Sequence, residues 1–286
     1  MDEEKKLRDL LAGDGLLVAP GCYDAMSARL IERAGFNATF MGGFAVSASR
    51  IGMPDTGLIS YSEMMDQGSS ICDAVNIPVL GDGDTGYGNA INVKRTVQGY
   101  AKAGLSCVMI EDQLAPKRCG HTKGKQVVSR SEAASRLKAA ADARDAGANI
   151  LIMSRTDANY TDGLDEAIYR CNMFLDIGVD ITFLEAPRSE NEMERYCKEV
   201  PGPKMANMVE QGNTPFLKPA QLESLGYKIA IFPVSLMLAG IKAMEQTLMN
   251  MGGGHNTDSL ATFGHLQEVV GFPEYYEAEE VYAHGE

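Results

Sequence analysis

Eight short apolar runs constrain the fold of this sequence more than any other feature. Each run is followed by a polar or glycine-rich turn and then by a segment with helical spacing. The runs are rich in Val, Ile, Leu and Met and span 15–21, 37–43, 77–84, 107–112, 149–157, 181–187, 204–210 and 228–235. Nearly continuous apolar strands that alternate with helices are typical of a parallel sheet covered on both faces. Eight such units predict an α/β fold of the (β/α)₈ TIM-barrel type, with a doubly wound open sheet as the alternative.

The segments between the runs place apolar residues at helical spacing, and several end in the Gly expected just past a helix C-terminus. They span 24–35, 90–104, 130–147, 164–178, 189–200 and 219–226. The chain has 286 residues, a length that one α/β barrel commonly occupies. We therefore predict a single barrel domain over 1–286, in which 252–286 forms a C-terminal helical extension.

Charge and hydropathy exclude several classes of partner. The chain carries 39 acidic and 26 basic residues, for a net charge of -13, which argues against binding to a phosphate backbone. No apolar run approaches the roughly 18 residues of a membrane span, and the charged N-terminus is unlike a signal peptide. The six cysteines show no paired spacing, so we expect reduced thiols. These features predict a cytoplasmic protein that binds neither nucleic acid nor membrane; a plastid location after removal of a transit peptide is the alternative.

Polar residues close the apolar runs from the third to the seventh. The strands of a barrel all end at one mouth, so we expect these side chains to meet there. Carboxylates that meet repel each other unless a cation neutralises them, and oxygen ligands without His or paired Cys favour Mg²⁺ or Mn²⁺ over zinc. For Asp112 and Asp157 we favour a second interpretation, as caps of the following helices. The residues are Asp82, Asp84, Glu111, Asp112, Arg155, Asp157, Glu185 and Asn207.

The stretch GDGDTGYG at 81–88 resembles a phosphate-binding loop only superficially. It matches neither the dinucleotide-binding fingerprint nor the Walker pattern, since no GxGxxG opens the next helix and no Gly-Lys-Ser/Thr is present. Its glycines allow close approach of the backbone, while Asp82 and Asp84 present oxygens on similar sides. We interpret it as a metal-binding loop; a tight turn with solvated acids is the alternative.

A single cysteine lies among cations in the stretch PKRCGHTKGK. Cys119 follows Lys117 and Arg118 and precedes His121, and neighbouring positive charge favours a thiolate. Cys119 is therefore a candidate reactive group. The alternatives are a structural cysteine and, for His121 and Lys125, solvated side chains.

Several of these segments together resemble the isocitrate lyase and phosphoenolpyruvate mutase superfamily over nearly the whole chain. They are GDGDTGYGN, EDQ followed by PKRCGH and GK, SRTD, MGGFAVSASRIGMPDTG and IFPVSL. The KRCGH loop resembles the isocitrate, 2-methylisocitrate and 2,3-dimethylmalate lyases. Other stretches are similar to the petal death protein group, which includes sequences labelled carboxyvinyl-carboxyphosphonate phosphorylmutase.

The resemblance implies a set of site residues and a small di- or tricarboxylic acid as substrate. Magnesium would be bound directly by Asp82, and its waters would be held by Asp55, Asp84 and Glu111. The substrate would be held by Arg155, by backbone N–H groups near Gly42 and Gly43, and by Glu185 and Asn207, which would bind a second carboxylate or the loop.

The resemblance also implies a reaction and an assembly. The reaction is cleavage of a carbon-carbon bond in a substituted malate of the 2,3-dimethylmalate or methylisocitrate type. Cys119 would protonate the resulting carbanion, while Lys117, Arg118 and His121 would stabilise the anions. The assembly would be a homotetramer with exchange of a helix, for which the apolar segment 241–251 is suited.

Four positions depart from the superfamily's usual residues. Phe40 stands where related lyases usually carry Tyr. Gly42 stands where many carry Ser or Thr, and Ser154 where Ala is usual. Pro233, which the resemblance also places among the substrate-binding residues, stands where the oxaloacetate hydrolase branch typically has Ser; this favours a lyase acting on substituted malates.

Three other functions remain as alternatives. They are a phosphonate mutase or hydrolase, an oxaloacetate hydrolase and a non-catalytic barrel that binds 2-oxo acids. Phe44 and Met41 are interpreted either as the wall of a pocket for a substrate alkyl group or as core residues.

Overall fold

The computed structural model of the chain describes residues 3–118, 124–253, 257–258 and 260–283. One strand lies in each of the eight predicted runs, which confirms all eight. The strands are β1 Leu17–Cys22, β2 Thr39–Met41, β3 Val79–Asp82, β4 Cys107–Glu111, β5 Leu151–Thr156, β6 Ile181–Leu184, β7 Met205–Asn207 and β8 Ile229–Phe232. Each strand is shorter than its run, and β1 reaches one residue past its run, to Cys22.

The strands form one parallel sheet that closes on itself. Their order is β6-β5-β4-β3-β2-β1-β8-β7, and every ladder in it is parallel. A parallel bridge joins Thr182 of β6 to Lys204, just before β7, and the Thr182 N–H donates to the Pro203 carbonyl over 3.1 Å. The predicted TIM-type barrel is thus confirmed, and the open sheet is wrong.

Alternation along the strands divides the core into two layers. In β4, Cys107 and Met109 belong to the cluster inside the barrel, whereas Val108 and Ile110 pack outward among the helices. Such alternation follows from the period of two in a strand. The first helix, Glu3–Ala12, contributes the fully buried Leu7 to the inner cluster. The barrel is therefore filled by side chains.

The helices begin and end where the sequence supplies capping residues. Asn89 caps the fifth helix by accepting a hydrogen bond from the Ile91 N–H over 2.9 Å, and the eighth helix ends at Gly178 with a left-handed φ of 104°. All six helical segments predicted between the runs are confirmed. The helices are α1 Glu3–Ala12, α2 Ala25–Arg33, α3 Gly43–Val46, α4 Tyr61–Cys72, α5 Ala90–Lys102, α6 Arg130–Asp145, α7 Ala158–Thr161, α8 Leu164–Ile177, α9 Glu190–Glu199, α10 Pro219–Leu225, α11 Ser235–Gly253, α12 Phe263–Val270 and α13 Phe272–Ala283, with a π-helical turn at Ser47–Ile51.

The last three helices leave much apolar surface exposed. In the single chain Leu248 on α11 is 67% exposed and Phe263 on α12 is 72% exposed. Helix α12 packs on α2, where Arg29 donates to the Val269 carbonyl over 3.4 Å. None of the described helices has the length and hydropathy needed to cross a membrane.

Candidate active site

A cavity of about 390 Å³ opens at the C-terminal ends of the strands. Its polar lining comes from the ends of β3, β5, β6 and β7 and from the segment that precedes α4. Its apolar lining comes from β2, α3 and the start of α11. This is the mouth at which barrel enzymes place their chemistry.

Four carboxylates meet beside this cavity, as the sequence predicted. Asp82 ends β3 and Asp84 follows it, Glu111 ends β4, and Asp55 comes from the loop before α4; each is at most 6% exposed. Asp82 is held on both oxygens, because Oδ1 accepts from the Asp84 N–H over 2.9 Å and Oδ2 from the Gly43 N–H over 3.1 Å.

Gly43 allows this approach because it has no side chain. A Cβ at that position would lie 2.8 Å from Asp82 Oδ2 and 3.5 Å from Asp84 Oδ1. The backbone of Asp84 has a left-handed φ of 49°, a conformation that costs energy for a residue other than Gly. The loop thus accepts strain in order to hold two carboxylates beside the backbone.

Lys117 lies among these acids. Its Nζ is 2.6 Å from Asp55 Oδ1 and 2.8 Å from Asp84 Oδ1, and the side chain is buried. Burial raises the pKa of Asp84 to about 7, an effect that Lys117 opposes and that Asp82 and Asp55 reinforce. Burial lowers the pKa of Lys117, but the surrounding carboxylates outweigh it and hold that pKa well above its ordinary value. The single ammonium group of Lys117 thus interacts with all four carboxylates of the cluster.

The donor set fits a hydrated magnesium ion. Within the described residues, no three Asp, Glu, Cys or His side chains converge closely enough to enclose a metal by themselves. Mg²⁺ does not require that, because it keeps several waters and commonly binds through one or two carboxylates and substrate oxygens. Glu111 Oε1 is buried and has no hydrogen-bond partner in the described part of the chain. Burial raises the pKa of Glu111 well above its usual range, although Arg155 lowers it. Excess buried negative charge of this kind suits a divalent cation.

Arg155 brings a fixed guanidinium to the cavity from the end of β5. Its Nε donates to Asp157 Oδ2 over 2.8 Å and its Nη2 to Asp157 Oδ1 over 3.2 Å. Nε also lies 3.3 Å from Glu111 Oε2, and Nη2 lies 3.8 Å from Glu185 Oε2. Among the described residues, no carboxylate pairs with Arg155 Nη1. The planar fork is thereby oriented with one nitrogen left to bind a carboxylate.

Glu185, Asn207, Pro233 and Gly42, all predicted substrate-binding residues, line the same cavity. Asn207 Nδ2 donates to Glu185 Oε2 over a long 3.4 Å, and Asn207 Oδ1 is buried with no hydrogen-bond partner among the residues described. The amide can therefore donate and accept toward a bound molecule. Pro233 supplies no hydrogen-bond donor at this wall.

The remaining wall is apolar. Phe44 lines it together with Met237, Leu238 and Ile241, so Phe44 is a pocket residue. Met41 is fully buried in the outer core, so the pocket interpretation of Met41 is wrong. Glu210 also lines the cavity and was missed, although it is an acidic residue near the end of the seventh predicted run, as Glu185 is in the sixth. Its carboxylate accepts a short hydrogen bond from the Ser235 hydroxyl, the first residue of α11.

Cys119 and His121 lie outside the described residues, but both stems of their loop are described. On the first stem the Arg118 N–H donates to Gln113 Oε1 over 2.9 Å, and Gln113 Nε2 donates to the Arg118 carbonyl over 2.8 Å. On the second stem Lys125 is fully buried and lies 2.6 Å from Asp157 Oδ1. The interpretation of Lys125 as a solvated side chain is therefore wrong.

The capping interpretation of Asp112 and Asp157 is also wrong. Asp157 precedes α7, but its side chain makes no capping hydrogen bond. Asp112 accepts from the Thr156 hydroxyl over 2.6 Å, from the Asp157 N–H over 2.9 Å and from Arg170 Nη1 over 3.0 Å. Asp112 instead ties the end of β4 to the end of β5, and Asp157 pairs with Arg155 and Lys125.

Comparison with known proteins shows which family has this arrangement. A family model described as phosphoenolpyruvate phosphomutase matches residues 7–251. The chain belongs to this family. It is 43% identical to a 2,3-dimethylmalate lyase of Eubacterium barkeri over 289 residues, covering 100% of both chains. It is 40% identical to a 2-methylisocitrate lyase of Aeropyrum pernix, covering 94% of this chain and 87% of the relative.

Solved structures of the family share the fold. The structure of an oxaloacetate acetylhydrolase in complex with 3,3-difluorooxalacetate superposes with a TM-score of 0.94 at 35% identity, covering 98% of this chain and 96% of the other. Family membership and the lyases among these relatives make the chain a carbon-carbon lyase of the phosphoenolpyruvate mutase and isocitrate lyase superfamily. This confirms the reaction class predicted from the sequence, and the non-catalytic alternative is dropped.

Proposed function

We propose that the chain is a Mg²⁺-dependent lyase that cleaves a substituted malate, of the 2,3-dimethylmalate or methylisocitrate type, to a 2-oxo acid and a carboxylate. The observation that carries the proposal is the composition of one cavity. An oriented arginine, a cluster of buried acids and an apolar wall formed by Phe44, Leu238 and Ile241 lie around the same space. A diacid with an alkyl branch needs all three.

In this proposal Asp82 would bind the Mg²⁺, and Asp55, Asp84 and Glu111 would hold its waters. The bound ion would supply Lewis-acid polarisation of the substrate's oxygens. Lys117 holds Asp55 and Asp84 in place and limits their repulsion. We propose Mg²⁺ as the ion, with Mn²⁺ as a substitute.

The binding groups orient the substrate. Arg155 binds a carboxylate through the planar fork that Asp157 fixes, and the backbone near Gly42 donates hydrogen bonds to the same end. Asn207 donates to the second carboxylate, and Glu185, which accepts from Asn207 Nδ2 and lies 3.8 Å from Arg155 Nη2, holds both binding groups. Orientation of this kind supplies much of the rate, because the reacting bond is held ready to break.

The bond that breaks joins C2 and C3 of the malate. As the hydroxyl proton passes to a carboxylate of the acid cluster, C2 becomes a carbonyl and the bonding electron pair passes to C3, where the adjacent carboxylate delocalises it. We propose that the Cys119 thiol donates the proton that C3 then needs, and that Arg118 and His121 stabilise the thiolate left behind. Burial raises the pKa of Cys22 to about 12 and of Cys197 to about 11, so those thiols are unsuited to the role.

Hydrolysis of oxaloacetate is a second candidate, favoured by the similarity to the oxaloacetate acetylhydrolase structure. Pro233 argues against it. It lines the cavity and offers neither a hydroxyl nor an N–H to the hydrated 2-oxo group that hydrolysis requires. A phosphonate mutase or hydrolase is a third candidate, suggested by the family description; it gives Cys119 no proton to transfer.

The apolar surface of the last helices supports a further proposal, that the chain assembles as a homotetramer through α11 to α13, with helix exchange between subunits. Large apolar side chains are exposed on all three of these helices, and apolar surface of this kind often marks an interface. The proposed partners are thus copies of the chain and a small carboxylic acid, with no nucleic acid and no membrane.

Removal of the metal tests the proposed function. The wild type and Asp82→Ala are incubated with a panel of 2- and 3-alkylmalates, oxaloacetate and phosphonopyruvate, in Mg²⁺ and in EDTA, and the products are identified by mass spectrometry. We expect wild type to release a 2-oxo acid from an alkylmalate in Mg²⁺ only, and Asp82→Ala to release almost none. Full activity in EDTA would refute the metal site. Unchanged phosphonopyruvate turnover by Cys119→Ala would favour a phosphonate enzyme.

A further inference from the structure

Lys125 is buried at the barrel mouth without belonging to the acid cluster. Its side chain is 0% exposed, as is that of Asp157, and their charged atoms are 2.6 Å apart. Its Nζ also lies 5.0 Å from the centre of the Tyr160 ring. A lysine almost never gives up its hydration completely unless a partner is fixed in place. The buried ion pair is therefore a fixed structural element of the barrel mouth.

Asp157 carries this contact to Arg155. One carboxylate accepts from Lys125 through Oδ1 and from Arg155 through both oxygens. Burial raises the pKa of Asp157, but Arg155 and Lys125 together outweigh it and lower that pKa to about 2. The carboxylate is therefore charged, and the two cations share it. A displacement of Lys125 would therefore change the electrostatic interactions of Asp157 that orient the Arg155 guanidinium.

Lys125 is also at the foot of the second stem of the loop that bears Cys119. Beyond it, the stem pairs with the end of β4. The Leu114 N–H donates to the Gln126 carbonyl over 2.8 Å, and the Val128 N–H donates to the Asp112 carbonyl over 2.9 Å. Residues 124–128 thus connect the cation pair with the strand that carries Glu111.

We infer that Lys125 is a positioning residue which, through Asp157, fixes both the 124–128 stem and the orientation of Arg155. The inference rests on the proposed function only in taking Arg155 to bind a substrate carboxylate. It predicts that the stem and the carboxylate site lose order together when either Lys125 or Asp157 is changed. A merely structural ion pair would change stability without that coupling.

The test compares Lys125→Met, Lys125→Arg, Asp157→Asn and the double variant Lys125→Met/Asp157→Asn. Lys138→Met is the matched control, because Lys138 is 69% exposed and pairs with Asp142 on a helix surface. The first measurement is hydrogen exchange of peptides over 112–118 and 124–128 in the protein without ligand. The second is the affinity for pyruvate with Mg²⁺, by calorimetry. If Lys125→Met does not fold, Lys125→Gln serves in its place, because it removes the charge and keeps a donor.

We expect exchange at the Leu114 and Val128 amides to accelerate at least tenfold in Lys125→Met and in Asp157→Asn. The double variant should be no faster than the faster single one, because both changes break one network. Pyruvate affinity should fall roughly tenfold in both single variants, as expected for a misplaced binding group. Lys125→Arg should restore most of the slow amide exchange and most of the pyruvate affinity. Lys138→Met should match the wild type in both measurements.

Unchanged exchange in Lys125→Met, or effects that add in the double variant, would overturn the inference. So would normal pyruvate affinity in variants whose stem exchange has accelerated, because Arg155 would then be positioned without Lys125. Wild-type protein that binds no pyruvate and cleaves no malate would count against the proposed function instead. In that case accelerated, non-additive exchange would still support the inference that Lys125 and Asp157 fix the 124–128 stem.

Discussion

Addition of a single methyl group at Gly43 is expected to disable the metal site while leaving the fold intact. The Cβ of Gly43→Ala would lie 2.8 Å from Asp82 Oδ2 and 3.4 Å from Asp82 Cγ. Ordinary contacts require about 3.5 Å, so the carboxylate must retreat by roughly half an ångström or more. The backbone needs no adjustment, because Gly43 begins α3 without a left-handed φ and Ala is the better helix former.

The size of the effect follows from that displacement. Functional groups must hold their positions to about 0.5 Å, and a misplacement of about 1 Å costs on the order of 100-fold in rate. We therefore expect Gly43→Ala to lose about 10- to 100-fold in kcat/KM and to need roughly tenfold more Mg²⁺ for half-maximal activity. The melting temperature should stay within about 2 °C of wild type, because the net free-energy change is about 1 kcal/mol or less.

Gly42→Ala is the matched control for the metal requirement. Within the described part of the chain its Cβ would meet only the Phe40 ring, at 3.5 Å, so the Mg²⁺ concentration for half-maximal activity should be unchanged. The assay is a Mg²⁺ titration of 2-oxo acid release, with differential scanning calorimetry for stability. A normal Mg²⁺ requirement and activity within twofold of wild type in Gly43→Ala would refute the assignment of Asp82 to the metal.

Three further predictions concern the thiol, the buried acid and the assembly. Cys119→Ser should bind pyruvate with nearly unchanged affinity but lose about 10²- to 10⁴-fold in turnover, because a hydroxyl is a much weaker acid; a loss below tenfold would return Cys119 to a structural role. The folded pKa of Asp157 is lowered from 3.8 to about 2, so its charge contributes stability above pH 4 that is lost as the pH falls toward 2. Chemical denaturation should accordingly show Asp157→Asn to be less stable by about 2 kcal/mol at pH 7, with a deficit that narrows only below about pH 4; a deficit independent of pH down to 2 would be inconsistent with this. Light scattering should give a tetramer that Leu248→Asp weakens, and a wild-type monomer would contradict the assembly.

The barrel could be predicted from sequence because its signal is local and repeated. Every strand lies in an apolar run, and helices end at residues such as Gly178 and Gly226, whose left-handed φ other residues avoid. The acid cluster could be predicted for a topological reason. Once eight parallel strands form a barrel, Asp82, Glu111 and Arg155 must meet, because each lies at the C-terminal end of its strand.

The rest depended on contacts between distant parts of the chain. Lys125 lies in a Gly-rich polar stretch that suggests solvent exposure, and its partner is 32 residues away. Asp157 occupies the position before a helix, where capping is the common role, yet its carboxylate turns toward Arg155 because two cations are buried there. Met41 ends a strand beside the pocket, but the alternation of β2 directs its side chain outward into the core.

Carbon-carbon cleavage of an alkylated malate can be measured directly by proton NMR of the wild-type reaction with 2,3-dimethylmalate and Mg²⁺ in D₂O. We expect equal amounts of pyruvate and propionate, with one deuterium on C2 of the propionate, because the carbanion takes its proton from an exchangeable acid. Turnover should exceed that of oxaloacetate and of phosphonopyruvate measured under the same conditions. Absence of pyruvate from dimethylmalate and from every other alkylmalate, together with faster hydrolysis of oxaloacetate or phosphonopyruvate, would contradict the proposed function.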